Sequence, residues 1–393
     1  MTARPHDAFA ACQPGLEPLV QDELKALGVV GTPRRGGVEF RGDTSAIMRA
    51  AYRLGCASHV LLRVAEFRCR ALGELERKAR DVPWGDWLLS DVALAVRATS
   101  SRSRVYHTKA IAERVGDAIR ATIGDVLPAA ADDSTEPVAQ LAVRFRNDVC
   151  TVSLDATTTP LHRRGYRLAG AKAPLREDLA HALARLALAV GPCAVLDPFC
   201  GSGTIPIEAA GLLRGLAPGR LREPPLAHLA LFDADSWEAA RATASPTADS
   251  DLQIAASDRD RGAVDAARQN AERAGVADAI DFTVGAFAAH DWLAGDGAPT
   301  DAAIATNPPF GRRIGKRDLV NLYQTIGHRL LRHPGWRIAL LAEDIRLARR
   351  TGLPLDVAFT TKHGGLSVSA LAGTVPTGSV PTEKGPTDTV PAP

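Results

Sequence analysis

The residues best suited to chemistry stand together in "AIATNPPFGRRIG", Ala303 to Gly315. Asn307 offers an amide oxygen, Pro308 and Pro309 offer carbonyls with no N–H of their own, and Phe310 offers a flat ring. Proline cannot donate to a sheet ladder, so the pair closes the apolar run before it. Each proline also drives the residue ahead of it into an extended backbone. The product is a stiff corner at the end of a buried strand. Two acceptors there, Asn307 Oδ1 and the Pro308 carbonyl, suit the hydrogens of a conjugated amino group. Accepting both would draw the nitrogen toward tetrahedral geometry, free its lone pair and aim it for in-line displacement. Phe310 would stack the ring that carries the amine. A proline pair alone is equally an ordinary turn, so the surroundings must decide.

A second stretch, "VLDPFCGSGTIPIEAA", places Asp197 at the end of another buried run, then a loop with Gly201 and Gly203, then a helix. Glycines let a backbone turn sharply and approach a ligand, and a helix start presents free N–H groups. A phosphate-binding loop would need Gly-Lys-Ser/Thr, which is absent. A dinucleotide loop would need a third glycine where Pro206 stands, and the acid ahead of the loop would repel a pyrophosphate. The same acid suits a cationic, phosphate-free ligand, and S-adenosylmethionine has that chemistry. The next strand, "QIAASDRD", ends in Asp258, placed to accept ribose hydroxyls, while Asp260 suits the cap of the following helix. The third strand ends at Gly285-Ala286 with no acid.

The elements that must hold these residues alternate regularly. From 175 to 373 short apolar runs ("CAVLD", "IAASD", "IDFTVG", "AAIATN", "RIALLAE") alternate with helical patterns, which predicts a doubly wound parallel sheet. "PLDVAFTTKHGGLSVSALAG" predicts a terminal hairpin turned at Gly364-Gly365. Residues 1–165 mix strands ("GVEFRG", "HVLLRVAEF", "VALAVRAT") with amphipathic helices, and "AVRFRNDVCTVSLD" predicts a hairpin turned near Asn147-Asp148. The last twenty residues, 374–393, are Pro/Thr-rich and predict a disordered tail.

At 393 residues the chain has room for two or three domains. It contains no apolar run long enough to span a bilayer, and its N-terminus lacks the apolar core of a secretory signal. Six cysteines without C-x-x-C or Cys/His spacing argue against a metal centre and for reduced thiols in the cytoplasm. Residues 1–180 hold 26 Lys/Arg against 22 Asp/Glu, and the remainder 21 against 23. The first half is therefore the more basic, as a polyanion-binding half would be.

The order DPFCGSG, SDRD, NPPFG resembles the class I S-adenosylmethionine-dependent methyltransferases that modify exocyclic or amide nitrogens. By that resemblance Asp197, Phe199, Gly201, Ser202, Gly203 and Asn307 hold the cofactor, with Asp258 at its ribose. Asn307, Pro308, Pro309 and Phe310 form the catalytic corner. Many relatives carry an Asp after the third strand's glycine, where this chain has Ala286, so adenine is expected to be held through Phe287 or backbone amides. The first half is similar to the ferredoxin-like domain (1–69) and THUMP RNA-binding domain (70–160) of RNA methyltransferases. "TTTPLHRRGYRLAGAKAPLREDLAHALA" resembles that family's basic connector (161–174), and the Rossmann-like methyltransferase domain follows (175–373). The segment "LAPGRLREPPLAHLALFDADSWEAARATA" is similar to an insertion in the bacterial 23S rRNA guanine-N2 methyltransferases.

The resemblance implies a cytoplasmic enzyme that methylates guanine N2 in RNA, with 23S rRNA favoured over tRNA. A DNA adenine methyltransferase has no use for a THUMP-like half. An RNA-binding assembly protein with a weak methyltransferase domain is the reading motivated by Ala286. For RNA contact the candidates are Arg102, Arg104, His107 and Lys109 at a strand-to-helix turn, and Arg163, Arg164, Arg167 and Lys172 in the connector. Arg312, Arg313, Lys316 and Arg317 follow the corner.

Overall fold

The structure is a computed structural model that describes residues 5–90, 92–124, 138–157, 159–167, 174–189, 191, 194–242, 253–287, 290–294, 298–310 and 315–377. Among these residues the strands form two seven-stranded sheets. The first comprises β1 (His6–Cys12), β2 (Gly31–Arg34), β3 (Gly37–Gly42), β4 (Ala57–Arg68), β5 (Ala93–Ser101), β6 (Val138–Arg146) and β7 (Val149–Asp155). Its helices are α1 (Glu17–Ala26), α2 (Thr44–Arg53), α3 (Leu72–Arg80) and α4 (Thr108–Ile123). The strand order is β2-β3-β1-β4-β7-β6-β5. Only β5 and β6 run parallel; the other neighbours are antiparallel.

The twelve-residue β4 pairs with β1 through its first half and with β7 through its second. It therefore carries both N-terminal units on one continuous sheet. The β6–β7 turn sits at Asn147 and Asp148, both at positive φ (51° and 62°), the geometry that joins tightly twisted strands through two residues.

The second sheet contains β8 (Ala194–Asp197), β9 (Gln253–Asp258), β10 (Ile280–Val284), β11 (Ala302–Thr306), β12 (Arg337–Ala342), β13 (Leu355–His363) and β14 (Leu366–Thr374). Around it lie α5 (Glu177–Leu188), α6 (Thr204–Leu213), α7 (Ala234–Ala242), α8 (Arg261–Ala274), α9 (Asp291–Ala294), α10 (Lys316–Leu330) and α11 (Ile345–Ala348). The order is β10-β9-β8-β11-β12-β14-β13, parallel through β12 and closed by the antiparallel β13–β14 hairpin. The chain winds outward from β8 to β10 and then returns to β11 on β8's other side. Ligands of such sheets bind where the winding reverses, beyond the strands' carboxyl ends. That crevice lies between Asp197 and Asn307.

The two halves share one buried cluster, running from Val20, Leu24 and Ile47 to Leu179, Leu183, Leu341 and Val368. The insertion adds a further tie. Trp237 on α7 meets Tyr52 on α2 edge to face at 5.0 Å, and Arg222 Nη2 donates to the Ala51 carbonyl. Leu226 N–H donates to Ala156, and Ala230 N–H to Trp87.

The tail differs from expectation at its start. β14 continues to Thr374, and Val375 is buried, its N–H donating to the Trp336 carbonyl. An apolar residue with a ladder partner cannot belong to a disordered tail, and residues 378–393 lie outside the described residues. The connector also hands over to a helix that periodicity did not single out, α5, nearly all of it buried. No described helix is long and apolar enough to cross a membrane. The five described cysteines are free and buried, as reduced core thiols are.

Candidate active site

Asp197 ends β8 at 1% exposure. Its Oδ1 accepts the Thr306 hydroxyl at 2.7 Å and the Phe199 N–H at 3.2 Å, while Oδ2 is buried with no partner. Burial pushes this carboxyl up to about 7 and the Asp258 charge adds to that, against the hydrogen bonds that favour the ionised form. A buried orphan acceptor costs free energy unless a donor meets it, and an ammonium is the donor that would also restore the charge.

The loop after Asp197 turns at Gly201 (φ 52°) and Gly203 (φ 82°), and α6 begins at Thr204 as the pattern predicts. A Cβ on Gly203 would lie 2.8 Å from Ala267 Cβ, so this glycine is required by close packing of α6 on α8 as well as by φ. Gly201 faces open space. Asp258 ends β9; its Oδ2 accepts the Gly201 N–H and its Oδ1 the Asp260 N–H, both at 3.0 Å. Each oxygen keeps a lone pair for a hydroxyl. Asp260 caps α8 through Gly262 and Ala263 N–H groups, the role its position predicts. Ser202 is tied by its carbonyl to Asn270 Nδ2 at 2.9 Å.

Beyond β10 the backbone passes through Gly285, whose N–H donates to the Asp258 carbonyl, to an exposed Ala286. Phe287 is buried and stacks on the more open Phe199, ring centres 5.4 Å apart at 12°. Phe199 therefore presents the accessible aromatic face, with Phe287 behind it.

Asn307 follows β11 directly, and its Oδ1 is the second orphan: shielded from solvent and unpartnered. Pro308 is buried; Pro309 and Phe310 are half-buried, Phe310 packing one side against the shared core. Thus the corner and the glycine loop meet at one crevice, joined by Thr306, a residue that sequence reasoning missed. Its signal was its place immediately before Asn307.

The basic candidates divide. Arg102, Arg104, His107 and Lys109 are exposed in the β5–α4 turn, which also shows Tyr106 at 64% exposure, its ring 4.1 Å from that of His107. Tyr106 was missed because one aromatic among arginines reads as core until its burial is known. Arg163 and Arg317 are exposed. Arg164 corrects the expectation: it is 2% exposed and paired with Glu208 at 3.3 Å, with Nη1 and Nη2 donating to the Leu161 and Gly55 carbonyls. A guanidinium enclosed this way has no route to a phosphate. Arg167 is also mainly internal, ion-paired with Glu177 and donating through Nη2 to the Leu175 carbonyl and Thr204 Oγ1. Lys172, Arg312 and Arg313 lie outside the described residues, as does the side chain of Lys316.

Behind α6 lies a buried ionic cluster. His181 faces Glu208 through Nδ1 (2.8 Å) and Glu23 through Nε2 (3.3 Å). Burial alone would lower the imidazole's pKa, but the two carboxylates outweigh it and raise it. Glu208, despite burial, is brought down to about 2 by Arg164 and His181. Glu23, Cys56 and His181 stand within 4.8 Å of one another, yet both ring nitrogens of His181 are already engaged, Nδ1 by Glu208 and Nε2 by Glu23.

A doubly wound sheet with an acid-led glycine loop on one side of its switch crevice and an Asn-Pro-Pro-Phe corner on the other defines a class I methyltransferase domain. Residues 164–369 match the model of the RMKL-like methyltransferase domain, 7–61 that of the RlmL ferredoxin-like domain and 69–155 that of the THUMP domain. The chain belongs to this RMKL-like methyltransferase family. It is 34% identical over 379 residues to the ribosomal RNA large subunit methyltransferase K/L of Syntrophotalea carbinolica, covering 92% of this chain and 53% of that protein. The chain thus spans about half of that relative's length. It is 31% identical to a putative RNA methyltransferase of Synechocystis, slr0064, over 94% of this chain and 96% of that one. The solved structure of SMU.472, a putative methyltransferase complexed with SAH, superposes with a TM-score of 0.83 at 25% identity, covering 94% and 98% of the two chains.

Proposed function

We propose that the protein methylates the exocyclic N2 amine of a guanine in RNA, with 23S rRNA as the favoured substrate and S-adenosylmethionine as the donor. The observation that carries the reading is the pair of buried, unpartnered acceptors, Asp197 Oδ2 and Asn307 Oδ1, on the two sides of one crevice. The donor set fits the cofactor: an anionic acceptor for its amino group, Asp258 for its ribose, open space at Gly201 and an aromatic face at Phe199. Bound there, S-adenosylmethionine supplies a methyl group on a sulfonium, ready for displacement.

The chain's part is positioning. Asn307 Oδ1 and the Pro308 carbonyl accept the two amine hydrogens, which localises the nitrogen lone pair and directs it across the crevice. Phe310 stacks the base, which must be unpaired or extruded to reach the corner. The surplus proton on the methylated nitrogen leaves to water. Exposed Arg102, Arg104, Lys109 and Arg163 neutralise phosphates, and Tyr106 offers a stacking surface for an unpaired base. The insertion's resemblance to rRNA enzymes favours rRNA over tRNA, and it packs against the N-terminal half through Trp237 and Arg222.

Incubation with methyl-labelled cofactor and rRNA, tRNA or DNA, then digestion to nucleosides, tests this reading. The expected product is N2-methylguanosine from rRNA; N6-methyladenosine, or label in DNA, contradicts it. The exposed Ala286 favours a second reading, an RNA-binding assembly protein with a weak transferase domain. Binding of S-adenosylhomocysteine measured by calorimetry separates the two.

A further inference from the structure

Arg164 and Arg167, three residues apart in the connector, reach Glu208 and Thr204, four residues apart on one face of α6. α6 is the helix that leaves the glycine loop. Gly165 between the arginines has φ 102°, and a Cβ there would lie 3.1 Å from the Leu221 carbonyl oxygen. The turn it allows places Arg164 and Tyr166 on the same carboxylate, Tyr166 OH donating to Glu208 Oε1 at 3.0 Å. From Tyr166 a second line of contacts returns to the loop. Arg273 Nε donates to the Tyr166 carbonyl and its Nη2 to Asn270 Oδ1, and Asn270 Nδ2 donates to the Ser202 carbonyl. At its far end the cluster is anchored in the RNA-binding half. Arg164 Nη2 donates to the Gly55 carbonyl, and Glu23 accepts the Gly55 and Cys56 N–H groups.

We propose that this connector is a brace whose positioning residues, Arg164 and Arg167 with Asn270, hold the cofactor loop from the RNA-binding half. Their task is the loop's geometry, not contact with RNA. The inference rests on the donor reading above, and the experiment keeps the two apart.

Thr204→Val removes the acceptor for Arg167 while keeping the side chain's shape; Thr204→Ser keeps the hydroxyl. Calorimetry with S-adenosylhomocysteine is expected to show affinity about five- to tenfold weaker for Thr204→Val, the worth of one partly buried hydrogen bond, and near the wild-type value for Thr204→Ser. Amide exchange over 198–206 in the ligand-free protein should quicken in Thr204→Val alone. Steady-state assay should show a raised KM for the donor with kcat little changed. Arg167→Gln, which removes the other partner, should weaken binding as well, and the double variant should be no worse than the weaker single one. If Thr204→Val binds like the wild type, or Thr204→Ser loses as much as Thr204→Val, the brace is overturned and the donor reading stands. If the wild type itself does not bind, both fall.

Discussion

Thr306 donates its hydroxyl to Asp197 across 2.7 Å, joining the ends of two neighbouring parallel strands. Asn307 follows Thr306 directly, so the acid proposed to face the donor and the amide proposed to face the acceptor are fixed to each other. Methyl transfer depends on the distance between those two ligands. A hydrogen bond between the strands that carry them therefore bears on the rate, because small errors in that distance are costly. Thr306→Val should lower kcat about tenfold while Thr306→Ser largely restores it, as single-turnover kinetics would read.

Asn307→Ala should reduce kcat by about 100- to 1000-fold, the scale of losing one preorganised acceptor, with cofactor affinity within about twofold of wild type. Single-turnover kinetics and calorimetry on the same preparation check the two halves of this statement. A largely active variant removes Asn307 from the chemistry.

Asp197 titrates near 7 in the ligand-free protein, and an ammonium beside it would bring that value down. Binding therefore takes the ionised form. Affinity for S-adenosylhomocysteine should be steady above pH 7 and fall by up to about tenfold per pH unit below it. Asp197→Asn should bind weakly with little dependence on pH. Calorimetry between about pH 5.5 and 8.5 is the measurement.

Glu208 has a folded-state pKa of about 2, below its ordinary 4.5. A depressed carboxylate contributes stability that is complete above the unfolded value and lost as pH falls toward the folded one. Unfolding followed between pH 4.5 and 2 should show this loss, and Glu208→Gln should flatten that limb while lowering stability at neutral pH by about 3 kcal/mol.

Arg163 and Arg164 are neighbours with opposite fates. Arg163→Ala should leave stability within about 0.5 kcal/mol, weaken RNA binding and reduce the salt slope by about 1. Arg164→Ala, which strands Glu208, should cost about 3–5 kcal/mol. Denaturant melts and filter binding at several salt concentrations distinguish them.

That contrast shows where the letters of the chain run out. The places of Asp197, Gly201, Gly203, Asp258 and Asn307 were legible because each stands at its own strand end or backbone turn, which are local. The parallel sheet and both hairpins followed from apolar periodicity and from the turn residues Asn147-Asp148 and Gly364-Gly365. Arg164 was not legible because its partner, Glu208, lies 44 residues away on a helix whose burial no local pattern reveals. The contact between Thr306 and Asp197 was hidden for the same reason, at a separation of 109 residues. The helix α5 carries a polar face of Glu177, His181 and Arg185 that reads as solvated, yet Glu177 and His181 are buried, and its place between the two halves could come only from their packing.

The central claim is that one crevice holds a cationic donor on Asp197 and turns an amine on Asn307 toward it. A crystal structure with S-adenosylhomocysteine and a guanosine-containing oligonucleotide tests it directly. The account predicts the amino group of the cofactor on Asp197 Oδ2 and the base's amine on Asn307 Oδ1, with that nitrogen facing the sulfur. A cofactor bound elsewhere, or an Asn307 turned away from it, would contradict the account.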